Sequence, residues 1–408
     1  MTHRTMFLDA HETTKRPGFS SWSLWAVLLT YAVAMCGTTM PTPLYPMLQD
    51  IHEMSTAVST QLFAIYALTV LLVLCCFGSL SDAIGRRPIL WLGLAASALS
   101  GVLYAAATDV PMLFLARTLS GICAGLVTGT ATAYLTDIVQ SPSRGASVSS
   151  IANMVGLGSG PIFAAYLTFL MPTFQMIAFV SHSVLSVGCA LLLMMVPESV
   201  QTRRKLRLTL PIIPRPALRD YAIGGLMTLG FAVMGGCTAI TSILIVRAFG
   251  ITDLRLLGLL GSLIFAATTM GQKFGGRFVA QHIPLGYLGL GAGSLLIGTA
   301  PLLGSGVSMV SYLVGLFIAG FSHGALFPVG LSIVLRRIPV DGRGSASSAF
   351  WVLGYALTAA GAMGLGWVGT WTDESTAVLW FGIIIALCSV AAAVLHPRLV
   401  AGTKMRAA

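Results

Sequence analysis

The chain has 408 residues, 56% of them hydrophobic and only 9% charged, with a net charge of +10 and a mean hydropathy of +0.87. A soluble domain carries about 25% charged residues, so a chain this poor in charge cannot cover a water-facing surface of its own size, and the bilayer must be its solvent. The basic residues sit in short breaks between apolar runs, the pattern of topology signals rather than of a binding face, which argues against nucleic acid as a partner.

A polar tail over residues 1–21 precedes the first apolar run, and no small-residue cleavage site follows it, so the first helix is expected to be retained. Spans of about 20 apolar residues then recur at 22–46, 57–80, 88–107, 111–135, 146–170, 174–196, 221–246, 254–272, 284–303, 309–334, 345–370 and 376–395. Barrel strands would alternate in polarity over about ten residues, whereas these runs are continuous and longer. The expectation is an all-α polytopic membrane protein of twelve helices. Two six-helix bundles (22–196 and 221–395) are joined by a basic, proline-containing linker over 197–220 and followed by a tail over 396–408.

Lys and Arg set the orientation. With the N-terminus inside, all 23 except Arg117, Arg247 and Arg255 fall in inner segments, which puts both termini and the linker in the cytoplasm. The location expected is a bacterial inner membrane, with lipids as surroundings and a monomer as the working unit. Cys36, Cys75, Cys76, Cys123, Cys189, Cys237 and Cys388 all lie inside apolar runs, so no disulfide framework is expected.

The halves repeat. Gly121-Ile122-Cys123-Ala124-Gly125 and Arg144 correspond to Gly320-Phe321-Ser322-His323-Gly324 and Arg343 at one constant offset. Parallel repeats about an axis normal to the membrane are a known transporter plan. In helix 1, Met40-Pro41-Thr42-Pro43-Leu44-Tyr45-Pro46 is expected to break the helix near the outer surface.

After the second span comes Gly78-Ser79-Leu80-Ser81-Asp82-Ala83-Ile84-Gly85-Arg86-Arg87. Asp82 lies at the mouth of helix 2, Gly85 permits a tight turn, and Arg86 or Arg87 can pair with an acid such as Asp137 at the end of helix 4. This segment resembles the loop between helices 2 and 3 of the major facilitator superfamily, Gly-x-Leu-x-Asp-x-x-Gly-Arg-Arg/Lys. With the repeat and the twelve spans, the resemblance covers nearly the whole chain. It implies a cytoplasmic latch built from Gly78, Asp82, Gly85, Arg86, Arg87 and Asp137, in which Asp82 also meets the N-terminus of helix 11. The second half departs from the pattern: Gly275 stands where the Asp would be.

Gly156-Leu157-Gly158-Ser159-Gly160-Pro161 in helix 5 resembles the antiporter motif of the family's efflux branch, with Ala164 and Ala165 in place of its final glycines. Arg117 lies about 9 Å below the outer end of helix 4, and an ionisable residue inside a membrane is by default functional. His182 reads as a packing residue in helix 6. His323, near the middle of helix 10, is the most deeply placed titratable candidate for a coupling proton, because the 13 acids all fall in tails, loops or helix ends. The resemblance implies that helices 1, 4, 7 and 10 line a central cavity. Met35, Arg117, Met234 and His323 would then lie near one space, with Phe327 on the same helix face as His323.

No phosphate-binding Gly-x-x-x-x-Gly-Lys-Ser/Thr is present. No metal-ligand spacing and no nucleophile–base constellation appears, which argues against a pump driven by nucleotide, an enzyme or a cofactor. The leading reading is a secondary transporter that exports small organic molecules at the expense of a proton gradient. A proton-coupled importer is the alternative, and a membrane-embedded enzyme or receptor is a third reading.

Overall fold

The computed structural model describes residues 19–77, 80–200, 218–336, 338 and 343–404. Among these residues there is no strand. The first half contains α1 (Ser21–Thr39), a 3-10 turn at Thr42–Leu44, α2 (Tyr45–His52), α3 (Thr56–Phe77), α4 (Leu80–Ile84), α5 (Arg86–Ala105), α6 (Val110–Val139), α7 (Pro142–Leu170) and α8 (Ile177–Leu193). The second half contains α9 (Leu218–Leu226), α10 (Gly230–Phe249), α11 (Leu254–Met270), α12 (Gly276–Gln281), α13 (Ile283–Thr299), α14 (Ser305–Leu335), α15 (Arg343–Trp371) and α16 (Glu374–Lys404).

Side-chain caps start several of the long helices. The Ser20 hydroxyl accepts from the backbone N–H of Ser23 at 3.3 Å, and the Asp109 carboxylate accepts from Met112 at 2.9 Å. Asp253 opens α11 by accepting from Arg255 at 2.9 Å. The Arg255 hydrogen bonds hold the Asp253 carboxyl down at about 2. Such caps satisfy amide groups that would otherwise lack a partner at a helix start.

Eleven segments among the described residues are long and apolar enough to cross a bilayer. The expected span 174–196 is α8, whose 17 residues make about 26 Å, at the short limit for a spanning helix. The expected span 221–246 is two helices, α9 and α10, with Met227–Leu229 as a turn between them. Gly224, Gly225 and Gly230 surround that turn, and glycine favours helix interiors least after proline. The span expected at 254–272 continues through a π-helical turn at Gly271–Gly275 into α12. Two polar segments are also partly helical: α9 starts at Leu218, inside the stretch read as linker, and α16 runs to Lys404, inside the stretch read as tail. Residues 201–217 of the linker and Gly78 of the loop motif lie outside the described residues.

Large apolar side chains face outward all around the molecule, among them Trp25, Leu170, Met195, Trp371 and Leu387. In water this surface would aggregate; in lipid it is the solvated face. Helices α1–α8 pack among themselves, as do α9–α16, and the halves meet along α3 with α15 and α7 with α11. The internal repeat has a packing counterpart. A Cβ on Gly121 would lie 2.8 Å from the Tyr66 carbonyl of α3, and one on Gly320 would lie 2.8 Å from the Ile264 carbonyl of α11. Both glycines let the fourth helix of a half approach the second, as small residues do at membrane helix interfaces.

Candidate functional site

One end of the bundle carries the charged cluster read from the loop motif. The Arg86 guanidinium meets Asp82 at 2.6 Å and Asp137 Oδ2 at 3.5 Å, and donates to the Ser81 hydroxyl at 2.6 Å. Ser199 donates to the same Asp137 oxygen at 2.7 Å. Arg86 is therefore the cation that pairs. Arg87 points elsewhere, donating to the Met194 carbonyl at 3.2 Å and lying 5.1 Å from the Trp91 ring.

A residue absent from the sequence-derived set completes the cluster. Glu198 accepts from the backbone N–H of Arg86 at 3.0 Å and of Arg87 at 2.9 Å, so an anion sits at the positive end of α5. Gly85 makes this possible twice over. Its φ of +118° disfavours any side chain, and a Cβ there would lie 2.8 Å from Glu198 Oε2. The only sequence signal was the position of Glu198 directly after the sixth span. The side chains of 343–348, where the resemblance brings Asp82 to the start of helix 11, lie outside the described residues. In the second half, a Cβ on Gly275 would lie 2.8 Å from the Ala325 methyl, so close packing of α14 leaves no room for the missing acid.

The opposite end is closed by polar contacts between the halves. Arg247, at the end of α10, pairs with Glu374 at the start of α16. Both reach the first half: Arg247 donates to the Thr56 hydroxyl at 3.0 Å and to the Gln49 side chain at 3.3 Å, and Thr56 donates to Glu374 at 2.9 Å. Gln49 is held in turn by the Ser59 hydroxyl at 3.0 Å. Below this network the broken segment Met40–Tyr45, buried throughout, packs against α7, α10 and α11. The prolines of helix 1 thus make a plug between the halves. Arg247 had one sequence signal, its place among the few basic residues that oppose the charge bias.

The helix-5 motif lies on the seam of the halves. A Cβ on Gly156 would lie 2.6 Å from the Ala32 carbonyl of α1, and one on Gly160 would strike the Cys36 carbonyl. Thr39 of α1 donates to the Leu157 carbonyl at 2.7 Å. Pro161 and Ala165 face the other half, where a Cβ on Gly258 of α11 would lie 2.7 Å from the Pro161 carbonyl and 2.6 Å from the Ala165 methyl. The glycine that α7 lacks at residue 165 is supplied by α11 at residue 258.

Between the two ends lies Arg117, fully buried. Its Nη1 donates to the Thr38 carbonyl, and its guanidinium lies 4.5 Å from the Tyr66 ring and 5.2 Å from the Phe63 ring. Cation–π contacts of this kind stabilise a desolvated cation by about 2 kcal/mol, comparable to the roughly 2.5 kcal/mol or more that an intramembrane Arg costs. Nε and Nη2 have no hydrogen-bond partner among the described residues. Tyr45 and Tyr104 also stand beside the guanidinium, and neither hydroxyl makes a hydrogen bond among the described residues.

His323 is buried in an aromatic group of the second half. Its ring is 4.6 Å from Phe231 and 6.1 Å from Phe327, and Phe327 is 4.8 Å from Trp351. Gly230 belongs to this site: a side chain there would collide with the His323 ring, so the α9–α10 break lies beside the histidine. His182 is a packing residue, hydrogen-bonded to Ser97 at 2.9 Å.

Each of the four residues expected around one space has its first partners within its own half. Met35 accepts from Thr128 at 3.9 Å in the first half, and Met234 accepts from Thr268 at 3.6 Å in the second. Arg117 and His323 are joined only indirectly, through electrostatic contact of Tyr66 with Tyr355 and the ring of Phe231, 6.4 Å from that of Tyr355.

A bacterial protein of similar length, the uncharacterized MFS-type transporter YceJ of Bacillus subtilis, is 26% identical over 391 residues, covering 90% of this chain and 94% of that one. Multidrug resistance protein 2 of Bacillus subtilis is 26% identical over 140 residues, 33% of this chain and 35% of that one. The crystal structure of the nucleoside transporter NupG superposes with a TM-score of 0.72 at 12% identity, covering 93% of this chain and 99% of that one; at that identity the likeness is one of fold. The Major Facilitator Superfamily model matches residues 27–362, and the chain belongs to that family of membrane transporters.

Proposed function

We propose that this transporter exports small organic molecules in exchange for protons, by alternating access in which its two ends close in turn. The observation that carries the reading is the position of the helix-5 motif. Gly156 and Gly160 press against α1 while Pro161 and Ala165 press against α11, so the motif of the efflux branch lies where the halves must move against each other. The similarity to a multidrug resistance protein supports the same direction. The two polar clusters supply the two states. Arg247, Glu374, Thr56 and Gln49 hold one end shut while the other admits solute, and the Asp82–Arg86–Asp137–Glu198 cluster belongs to the end that shuts in turn. A latch of this kind shifts populations without touching the solute.

The orientation follows the charge bias, with the Asp82 end and both termini in the cytoplasm of a bacterial cell. Cysteines at Arg204 and Thr372 should then label from opposite sides. His323 is the group assigned to the coupling proton and Arg117 a group on the solute pathway. Reconstitution into liposomes with an acidic lumen tests the direction, using a panel of cationic, neutral and anionic dyes. Exchange with protons drives a transported dye into the lumen against its gradient, and an ionophore abolishes it. Movement out of the lumen with the protons would make the protein an importer.

A further inference from the structure

Arg117 is fully buried, yet among the described residues only one of its nitrogens has a hydrogen-bond partner, the Thr38 carbonyl. Its Nε and Nη2 are unpartnered, and so are the buried hydroxyls of Tyr45 and Tyr104 beside it. The ionisable neighbours of the guanidinium are Tyr45, Tyr66 and Tyr104; no carboxylate is among them. A buried donor without an acceptor is expensive. Two N–H groups on a planar cation, flanked by two hydroxyls, form a donor set that matches the two oxygens of a carboxylate.

The site continues as a row of rings. Tyr66, under the guanidinium at 4.5 Å, contacts Tyr355 of the other half. Tyr355 lies 6.2 Å from Trp351 and 6.4 Å from Phe231. Aromatic faces and edges at such spacings favour flat, polarisable ligands.

We propose that the Arg117 cage seats a carboxylate, and that the solutes are aromatic carboxylic acids whose ring lies along Tyr66, Tyr355 and Phe231. This rests on the reading that Arg117 lies on the solute pathway. In the state described, Tyr45 of the helix-1 plug closes the cage, and release of the Arg247 network opens it. Lys in place of Arg117 would keep the charge and lose the planar fork.

The test uses the purified full-length transporter in detergent with 1-naphthoate and 1-naphthamide, which share a ring and differ in charge. Binding is read by tryptophan quenching and by the shift of the unfolding midpoint. The carboxylate should bind at least about tenfold tighter than the amide. Arg117→Lys should remove most of that difference while leaving amide binding in place, and Tyr104→Phe should weaken the carboxylate several-fold. Arg117→Gln should bind the two probes alike, and should it fail to insert, Arg117→Lys and Tyr104→Phe carry the test alone. Equal affinity for the two probes, no naphthoate binding at all, or an Arg117→Lys protein that still discriminates overturns the proposal. A midpoint that responds to chloride in place of gluconate, without any naphthoate preference, assigns the cage to an inorganic anion and also overturns it. The charge preference is measured without a gradient, so it stands or falls apart from the direction of transport read in liposomes.

Discussion

Glu198 closes the N-terminus of α5 with one carboxylate oxygen to the backbone of Arg86 and the other to that of Arg87, at 3.0 and 2.9 Å. The end of the sixth span thereby fixes the start of the third, and places Arg86 between Asp82 and Asp137. Two amide hydrogen bonds to one charged group at a helix start are worth about 1–2 kcal/mol. Glu198→Gln keeps one acceptor oxygen and loses the charge and the second bond, so it should destabilise by about 1 kcal/mol, lower the unfolding midpoint and slow transport. Gly85→Ala should cost more, because it adds a left-handed alanine to a collision with Glu198. A Glu198→Gln protein with unchanged midpoint would remove the cap from the account.

Asp82→Asn should leave insertion intact and shift the balance between the two open states. Arg86 keeps Asp137 and Ser81 as partners when Asp82 is neutralised, and partly exposed ion pairs contribute only about 0.2–1 kcal/mol each. The single variant should therefore change the populations by about 1.4- to fivefold. Asp82→Asn with Asp137→Asn should exceed the product of the separate effects, since both acids hold one guanidinium. Accessibility of a cysteine placed in the helix-1 plug reads the populations directly.

Arg247→Gln should open the other end. It removes the partner of Glu374 and leaves Gln49 and Thr56 without their cation. The population shift should run opposite to that of Asp82→Asn, with the plug cysteine becoming more reactive from the Arg247 side. Glu374→Gln should act in the same direction and more weakly, because Arg247 retains Gln49. Two substitutions at opposite ends that shift accessibility in the same direction would contradict reciprocal latching.

The class of the molecule was readable in the sequence because a bilayer imposes long, charge-poor helices and leaves little else possible. The pairing of a loop arginine with Asp137 was readable too, and Arg86 makes it at 3.5 Å, but its closer partner Asp82, at 2.6 Å, was not assigned. Contacts between more distant segments were not readable. Glu198 lies 112 residues from Arg86, and Arg247 lies 191 from Thr56, and neither spacing leaves a local pattern. The division of the seventh span into α9 and α10 was hidden because its residues remain apolar across the turn. The His323 ring that packs on Gly230 beside the turn belongs to another helix. The partners that hold Met35, Arg117, Met234 and His323 were not readable either, because each lies in the same half but far away in sequence.

Gly258→Ala tests the seam between α7 and α11. The new methyl would lie 2.7 Å from the Pro161 carbonyl and 2.6 Å from the Ala165 methyl. Overpacking of this kind costs about 1–3 kcal/mol. Adding Ala165→Gly should recover part of the loss, because it clears the methyl and leaves the carbonyl. A double variant no better than Gly258→Ala would show that the two residues do not share the contact.

His323→Gln separates packing from proton coupling. His323 is enclosed by Phe231, Phe327 and Gly230, and its Nδ1 lacks a hydrogen-bond partner. A ring held this way has a structural role whatever else it does, so His323→Ala would confound lost packing, about 2–5 kcal/mol for a large buried side chain, with lost titration. Glutamine keeps much of the volume and the hydrogen-bonding capacity but cannot carry a proton at any accessible pH. If His323 couples the solute to protons, the glutamine variant should still bind solute and exchange it down its gradient. It should lose accumulation against the gradient, and the pH dependence of transport near neutrality should flatten. Solute binding by tryptophan quenching and counterflow in liposomes provide the controls. Accumulation with an unchanged pH profile would make His323 a packing residue beside the α9–α10 turn, and would move the coupling proton to a carboxylate at a helix end, with Asp82 and Asp137 the first to test.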